Sequence, residues 1–194
     1  KTFMGPHKNF WKKIYEPIIR RAAGLGKPPK EFKAVSSHLH HNVDIVIVGG
    51  GLNGLLAAKS LINTPYDVLL IEFDSHLGGI INNSDKINSI DNQSPKAWVK
   101  ETVEAIEHSK NIKILKNTLV TTYNYINHLI AVEDKFVGAK PSESKVNSTL
   151  HKIRTEHVLL CNGHIERFLS FQNNDLPGIM LASSFEKYIT RYGV

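Results

Sequence analysis

Val43-Asp44-Ile45-Val46-Ile47-Val48-Gly49-Gly50-Gly51-Leu52-Asn53-Gly54 decides how this chain folds. A short β-branched run passes directly into G-x-G-x-x-G, and a helix-forming stretch, Leu55 to Ile62, follows. Phosphate chemistry gives each glycine a reason. Gly49 permits the tight turn off the strand, and Gly51 has no side chain to hold a pyrophosphate away from the backbone. Gly54 lets the helix lie close on the strand, so that the N–H groups and positive dipole end around Leu52 and Asn53 point at the phosphates. The strand–turn–helix context makes this a dinucleotide-binding fingerprint and not a chance glycine cluster.

The next apolar run, Asp67-Val68-Leu69-Leu70-Ile71-Glu72, has the composition of a parallel strand buried on both faces. It ends in Glu72 followed by Phe73, about 20 residues beyond the glycines, where a carboxylate accepts hydrogen bonds from an adenosine ribose. An acid there favours NAD or FAD over NADP, whose 2′-phosphate it would repel; the plainer reading is a solvated charge at a strand end. Asp74-Ser75-His76-Leu77-Gly78-Gly79 then pairs an acid with two glycines, and Thr155-Glu156-His157-Val158-Leu159-Leu160-Cys161-Asn162-Gly163 supplies a late strand ending in glycine.

The elements between these motifs fit one architecture. Ser94-Pro95 caps and opens a helix whose Val99, Val103 and Ile106 share a face. Ile112–Leu115 reads as a parallel strand, and Leu119 to Val132 as a hairpin turning near Asn127-His128. A polar loop from Lys135 to Ser148 follows, and Thr149–Arg154 rejoins a strand. The expected fold class is α/β: an FAD/NAD(P)-binding Rossmann-like three-layer domain with a parallel sheet plus a β-meander, incomplete at the C-terminus because no last parallel strand follows. The expected division is an N-terminal docking helix and linker over 1–41 and a dinucleotide-binding domain over 42–194.

Ahead of that domain, Trp11, Ile14, Tyr15 and Ile18 lie at helical spacing, with Pro17 kinking or restarting the helix. The segment reads as a docking arm for another subunit or domain, or as a helix packed on its own domain. Lys12, Lys13, Arg20 and Arg21 beside the aromatics leave a membrane-surface reading as a third choice. Pro28-Pro29 begins a linker running to about His41. His38, His40 and His41 read as part of that solvated linker, since a metal site would need further ligands. His76 and His164 are not assigned as bases, and Cys161 is read as a core residue at the end of a buried strand.

The 194 residues carry 24 basic and 18 acidic side chains, a net charge of +6 that is too modest for a nucleic-acid interface without a recognisable module. One cysteine excludes a disulfide framework and fits a reducing compartment. No apolar run reaches membrane-spanning length, so the expectation is a cytoplasmic protein with no nucleic-acid or membrane partner.

The acid-then-paired-glycine motif resembles the glutathione-reductase-like flavoproteins with two dinucleotide-binding domains, which usually end the late strand in Ala-Thr-Gly where this chain has Cys161-Asn162-Gly163. Two further stretches are more specific. Lys1-Thr2-Phe3-Met4 precedes Tyr15-Glu16-Pro17-Ile18-Ile19-Arg20-Arg21-Ala22-Ala23-Gly24-Leu25-Gly26. Glu166-Arg167 precedes Asn173-Asn174-Asp175-Leu176-Pro177-Gly178-Ile179-Met180-Leu181-Ala182, then Tyr188 and Arg191-Tyr192-Gly193-Val194. Together they resemble the alpha subunits of heterotetrameric sarcosine oxidases. That resemblance implies an assembly with beta, gamma and delta subunits that demethylates sarcosine to glycine, with hydrogen peroxide and, given tetrahydrofolate, methylenetetrahydrofolate as products. It also implies FAD in the beta subunit, FMN at the interface with beta, and NAD in the alpha chain, with a folate-binding domain elsewhere in that chain. Related alpha chains serve opine and proline dehydrogenase complexes, and FAD in the same cleft is the alternative. Carried onto this sequence, the cofactor residues are Gly49, Gly51, Leu52, Asn53, Gly54, Glu72, Phe73, Gly78, Gly79, Asn162 and Gly163, with no catalytic residue assigned. Asn173, Asn174 and Asp175 are read either as turn chemistry or as contacts to a cofactor or partner.

Overall fold

The structure is a computed structural model that describes residues 10–24, 36–83, 87–135 and 148–194. The chain divides into two compact units, Lys1–Ala34 and Val35–Val194.

In the first unit a π-helical turn, Trp11–Tyr15, leads into α1, Glu16–Ala22. Pro17 sits in the first turn of α1, where its missing N–H costs nothing, so it restarts the helix. Arg20 and Glu16 pair at 3.0 Å one turn apart, and Gly24 at φ +67° closes the end. The first part of the linker, up to residue 35, the polar loop at 136–147 and the stretch Lys1–Met4 of the resemblance lie outside the described residues.

The second unit is built on a six-stranded sheet in the order β3-β2-β1-β6-β5-β4. Its strands are β1 (Ser36–Val48), β2 (Val68–Ile71), β3 (Ile112–Leu115), β4 (Thr118–Asn124), β5 (His128–Asp134) and β6 (Ser148–Leu160). β3, β2, β1 and β6 run parallel, whereas β5 is antiparallel to β6 and β4 to β5. The helices are α2 (Leu52–Ser60), α3 (Pro95–His108) and α4 (Ala182–Tyr192), and one 3-10 turn covers Gly79–Asn82.

Alternation along the parallel strands sorts their side chains into two cores. Ile45, Ile47, Val68, Leu70 and Ile112 face α2 and α3, meeting Leu55, Ala58, Trp98, Val99 and Ile106. Val46, Leu69, Ile71 and Leu115 face the other way and meet Leu129, Ala131 and Ile153 of the meander. Helices, parallel sheet and meander are thus the three expected layers. The fully buried Trp98 was missed by the sequence spacing; it joins Val99 on the inner face of α3, and its indole N–H donates to Asp91 Oδ2 at 2.8 Å. Ser94 caps α3 as expected, accepting from the Ala97 N–H at 3.3 Å.

Three boundaries differ from the sequence reading. β1 begins at Ser36, so Ser36–His41, read as linker, is strand. The cause is non-local: Ser36–Asn42 pairs in parallel with Ser148–Arg154, and proline and histidine content on one side of that pairing does not reveal it. β6 runs unbroken through Thr155, joining two segments that read as separate strands. Its last residues are also not a buried strand. His157–Leu160 pairs with β1 on one side only among the described residues, which leaves Leu159 and Leu160 exposed. No described helix is long and apolar enough to cross a membrane.

Candidate functional site

At the C-terminal tip of β1 the backbone is crowded in ways only glycine tolerates. Gly49 has φ +103°, and a Cβ there would lie 2.4 Å from the Cys161 carbonyl oxygen and 3.0 Å from Asn162 Cα. The end of β6 therefore crosses directly beside the glycine turn, and Gly163 follows at φ +65°. A Cβ on Gly54 would lie 1.8 Å from the Gly49 carbonyl oxygen, so helix α2 can approach β1 only without one. Gly51 differs from both. It caps α2 with extended backbone, and nothing lies within 4 Å of its Cβ direction. That side of Gly51 is an open cradle, and no side chain caps the helix above it. The free N–H groups of the first turn are therefore available to an anion.

Glu72 closes the cradle from β2. Its Oε2 accepts the Gly50 N–H at 2.6 Å, and its Oε1 accepts the Asp74 N–H at 2.7 Å. Each carboxylate oxygen keeps a second lone pair, enough to accept from ribose hydroxyls. These two backbone bonds tie the carboxylate to the glycine turn and to the start of the next loop. The paired glycines complete the rim. Gly78, at φ +114°, donates its N–H to the Gly50 carbonyl at 2.8 Å, and a Cβ on Gly79 would sit 3.0 Å from Gly51 Cα. Asn82 Nδ2 holds the turn by donating to the Leu77 carbonyl at 2.6 Å.

The structure thus brings together Gly49, Gly51, Gly54, Glu72, Gly78, Gly79 and Asn162. α2 starts at Leu52 and Asn53, ahead of the expected Leu55, and the Leu52 side chain packs into the helix-side core, so only its backbone faces the cradle. Asn53, Phe73, Asn162 and Gly163 are exposed. Sequence reading missed Gly50, whose N–H and C=O bond Glu72 and Gly78, because the fingerprint leaves that position free. Cys161 is half-buried against the helix-side core, and burial pushes its thiol up from the ordinary value. The Asn173–Asp175 region shows turn chemistry. Asn173 takes φ +65°, its carbonyl accepts the Leu176 N–H at 3.2 Å, and Asn174 Nδ2 reaches the Leu169 carbonyl at 3.4 Å. His76 bonds Ser75 and Arg191, and His164 is exposed.

The middle of β1 holds a second arrangement. His41 and His151 meet side by side on β1 and β6, Nε2 to Nδ1 at 2.8 Å, and His151 Nε2 lies 3.3 Å from Glu133 Oε2. His151 is 1% exposed. Burial lowers both imidazoles below their ordinary value; for His151 this outweighs the opposing pull of Glu133. Two shallow hollows open near this pair, of about 490 and 550 Å³, lined by residues such as Asn42, His128 and Arg154. They lie along the middle of β1, away from the glycine cradle. No group of three or more metal-ligating side chains occurs among the described residues.

A family described as an NAD(P)-binding Rossmann-like domain matches residues 47–94, the span from the end of β1 through Ser94. The sarcosine oxidase alpha subunit of Rhizobium meliloti (strain 1021) is 33% identical over 201 residues, covering 100% of this chain and 20% of its own length. The chain is a relative of sarcosine oxidase alpha subunits. The corresponding subunit of Corynebacterium sp. (strain P-1) is also 33% identical, over 88% of this chain and 18% of its own length. The chain thus spans about a fifth of the curated relatives it matches. L-proline dehydrogenase from P. horikoshii superimposes with a TM-score of 0.66 over 87% of this chain and 31% of its own, at 23% identity. That likeness establishes the fold of a Rossmann-like dinucleotide-binding domain.

Proposed function

We propose that this chain is the dinucleotide-binding portion of a sarcosine-oxidase-like alpha subunit and that it holds the ADP moiety of NAD in the Gly51 cradle. The observation that carries the reading is the contrast among the glycines. Gly49 and Gly54 are needed by the fold, whereas the space beside Gly51 is left open by it. An open face at the N-terminus of α2, ringed by Gly50, Glu72 and Gly79, fits a pyrophosphate followed by a ribose. The N–H groups of the first turn of α2 would bind the phosphates. Glu72 would orient the ribose, and Gly79 would leave room for the backbone to close in.

In such an assembly the amine is oxidised on flavin held by partner subunits, FAD in beta and FMN at the boundary with beta. The role of this chain's cradle is to bind and orient a nucleotide, and no general acid, base or nucleophile is assigned to it among the described residues. The expected overall reaction is oxidative demethylation of sarcosine to glycine, giving hydrogen peroxide and, with tetrahydrofolate, methylenetetrahydrofolate, in a cytoplasmic complex with beta, gamma and delta subunits. The likeness in fold to a proline dehydrogenase supports a second reading, in which the same cradle holds FAD or the complex takes an opine or proline.

The test is Gly51→Val in the full-length subunit. The added side chain enters open space, so the protein is expected to fold, yet it occupies the pyrophosphate position. Mass spectrometry of nucleotide released from purified wild type should find NAD, and the variant should carry at least tenfold less, the loss of about one charge-assisted hydrogen bond or more. Retention of full nucleotide content by Gly51→Val would move the phosphate site elsewhere, and FAD in place of NAD would select the flavin reading.

A further inference from the structure

The dinucleotide cradle is tied to the C-terminal helix by one continuous run of hydrogen bonds. Arg191, in the last turn of α4, donates from Nη1 to Asp74 Oδ2 at 3.1 Å and from Nη2 to His76 Nδ1 at 3.2 Å. The Asp74 backbone N–H donates at 2.7 Å to Glu72 Oε1, and the other oxygen of that carboxylate takes the Gly50 N–H. Four bonded groups thus lead from α4 to the phosphate loop. The loop that Arg191 grips, Asp74–Gly79, also brings Gly79 against Gly51. Thr190 makes a separate anchor, donating from Oγ1 to the Asn83 carbonyl at 2.8 Å beyond that loop.

We propose that Arg191 is a positioning residue for the dinucleotide site, holding the loop between Glu72 and Gly79 so that the ribose carboxylate and the glycine rim face the nucleotide. The inference rests on the dinucleotide reading of the cradle. Chemistry favours arginine in this role. Its planar fork reaches a carboxylate and an imidazole nitrogen at once, which a lysine ammonium does less well. Burial alone would push the Asp74 carboxyl up, but bonds from Arg191 and from the Ser75 backbone outweigh it and hold the group below the ordinary carboxylate value. The ion pair therefore persists at neutral pH. The pair is partly exposed, at 20% and 39% for the two side chains, so its effect is moderate.

The test measures NAD affinity, with FAD titrated in parallel, in the full-length subunit. Arg191→Met and Asp74→Asn should each weaken binding about fivefold, the upper end for a partly exposed ion pair. The double variant should bind no more weakly than either single, since both break one chain. Arg191→Lys should recover part of the loss, and Thr190→Val, which loosens α4 without touching the chain to Glu72, should bind like wild type. Arg191→Met binding within twofold of wild type overturns the proposal, as does an equal loss in Thr190→Val, because the effect would then be helix anchoring. If Arg191→Met does not fold, Asp74→Asn and Arg191→Lys carry the same decision. Gly51→Val separates the two levels. Binding that survives in Gly51→Val refutes the cradle itself, whereas binding lost there but kept in Arg191→Met refutes only the role of Arg191.

Discussion

Strand β1 runs into glycines at its C-terminal tip and carries His41 about half-way along, and both regions lie beside β6. At the glycine tip the neighbour is backbone: the Cys161 carbonyl passes where a Gly49 Cβ would be. At the histidine region the neighbours are side chains, His41 against His151 and His151 against Glu133. One strand thus uses shape at its tip and buried titratable chemistry along its middle. At the tip Gly49 and Gly54 have no room for a Cβ, whereas Gly51 does. The histidine region is sensitive to protons.

The largest expected effect separates glycines that the fold needs from the one it leaves open. In Gly54→Ala the new methyl would sit 1.8 Å from a backbone oxygen, which neither α2 nor β1 can yield without separating. Overpacking against backbone should cost at least about 3 kcal/mol, a large share of a domain's stability. Gly51→Ala, with open space around its Cβ, should change stability by less than about 0.5 kcal/mol. Thermal denaturation of the two variants checks this, and equal losses would mean that Gly51 is a packing glycine like Gly54.

That contrast also explains what the sequence made legible. Gly49, Gly51, Gly54 and Glu72 could be placed because their constraints act within one short strand–helix–strand unit. The same holds for Ser94 and for the hairpin turn, where Ile126 and Asn127 take positive φ between β4 and β5. The histidine region was not legible. His41 and His151 are separated by 110 positions, and the only local signals around His41 were polarity and nearby prolines, which read as linker. Trp98 escaped for a different reason, lying one position outside the apolar spacing that was counted. Leu52 stands at the start of α2, but a motif cannot say that its side chain turns inward while its N–H faces out. Arg191 belonged to a recognisable stretch near the C-terminus, yet nothing local connects it to Asp74, 117 residues earlier.

Removing the side chain at the histidine region should have the next largest effect. His151 is fully buried between His41 and Glu133, so His151→Ala leaves a cavity and strips two polar groups of a partner. The combination should cost about 2–4 kcal/mol, measured by chemical denaturation. A cost under about 0.5 kcal/mol would mean that the pair is replaceable by water and that the region is less tightly packed than β5, β6 and β1 indicate.

The smallest effect is the most discriminating, because only the histidine region should produce it. With Nε2 of His41 and Nδ1 of His151 2.8 Å apart, one nitrogen must donate and the other accept, so the contact cannot survive with both rings fully protonated. Burial has lowered both imidazoles in the folded chain, so below the ordinary imidazole value, about 6.5, the unfolded chain binds more protons than the native one. Stability from the pair is therefore complete above that value and declines as pH falls below it. Asp74 behaves similarly in a lower window: its depressed carboxyl contributes stability above the ordinary carboxylate value, which is lost only as pH falls through that value. Melting curves should thus show two separate declines on acidification. The double variant His41→Gln/His151→Gln should remove the one nearer neutrality and leave the acidic one, and Asp74→Asn should do the reverse. A neutral-side decline that persists in the double variant would trace the proton uptake to other histidines, and the two regions of β1 would then differ in packing alone.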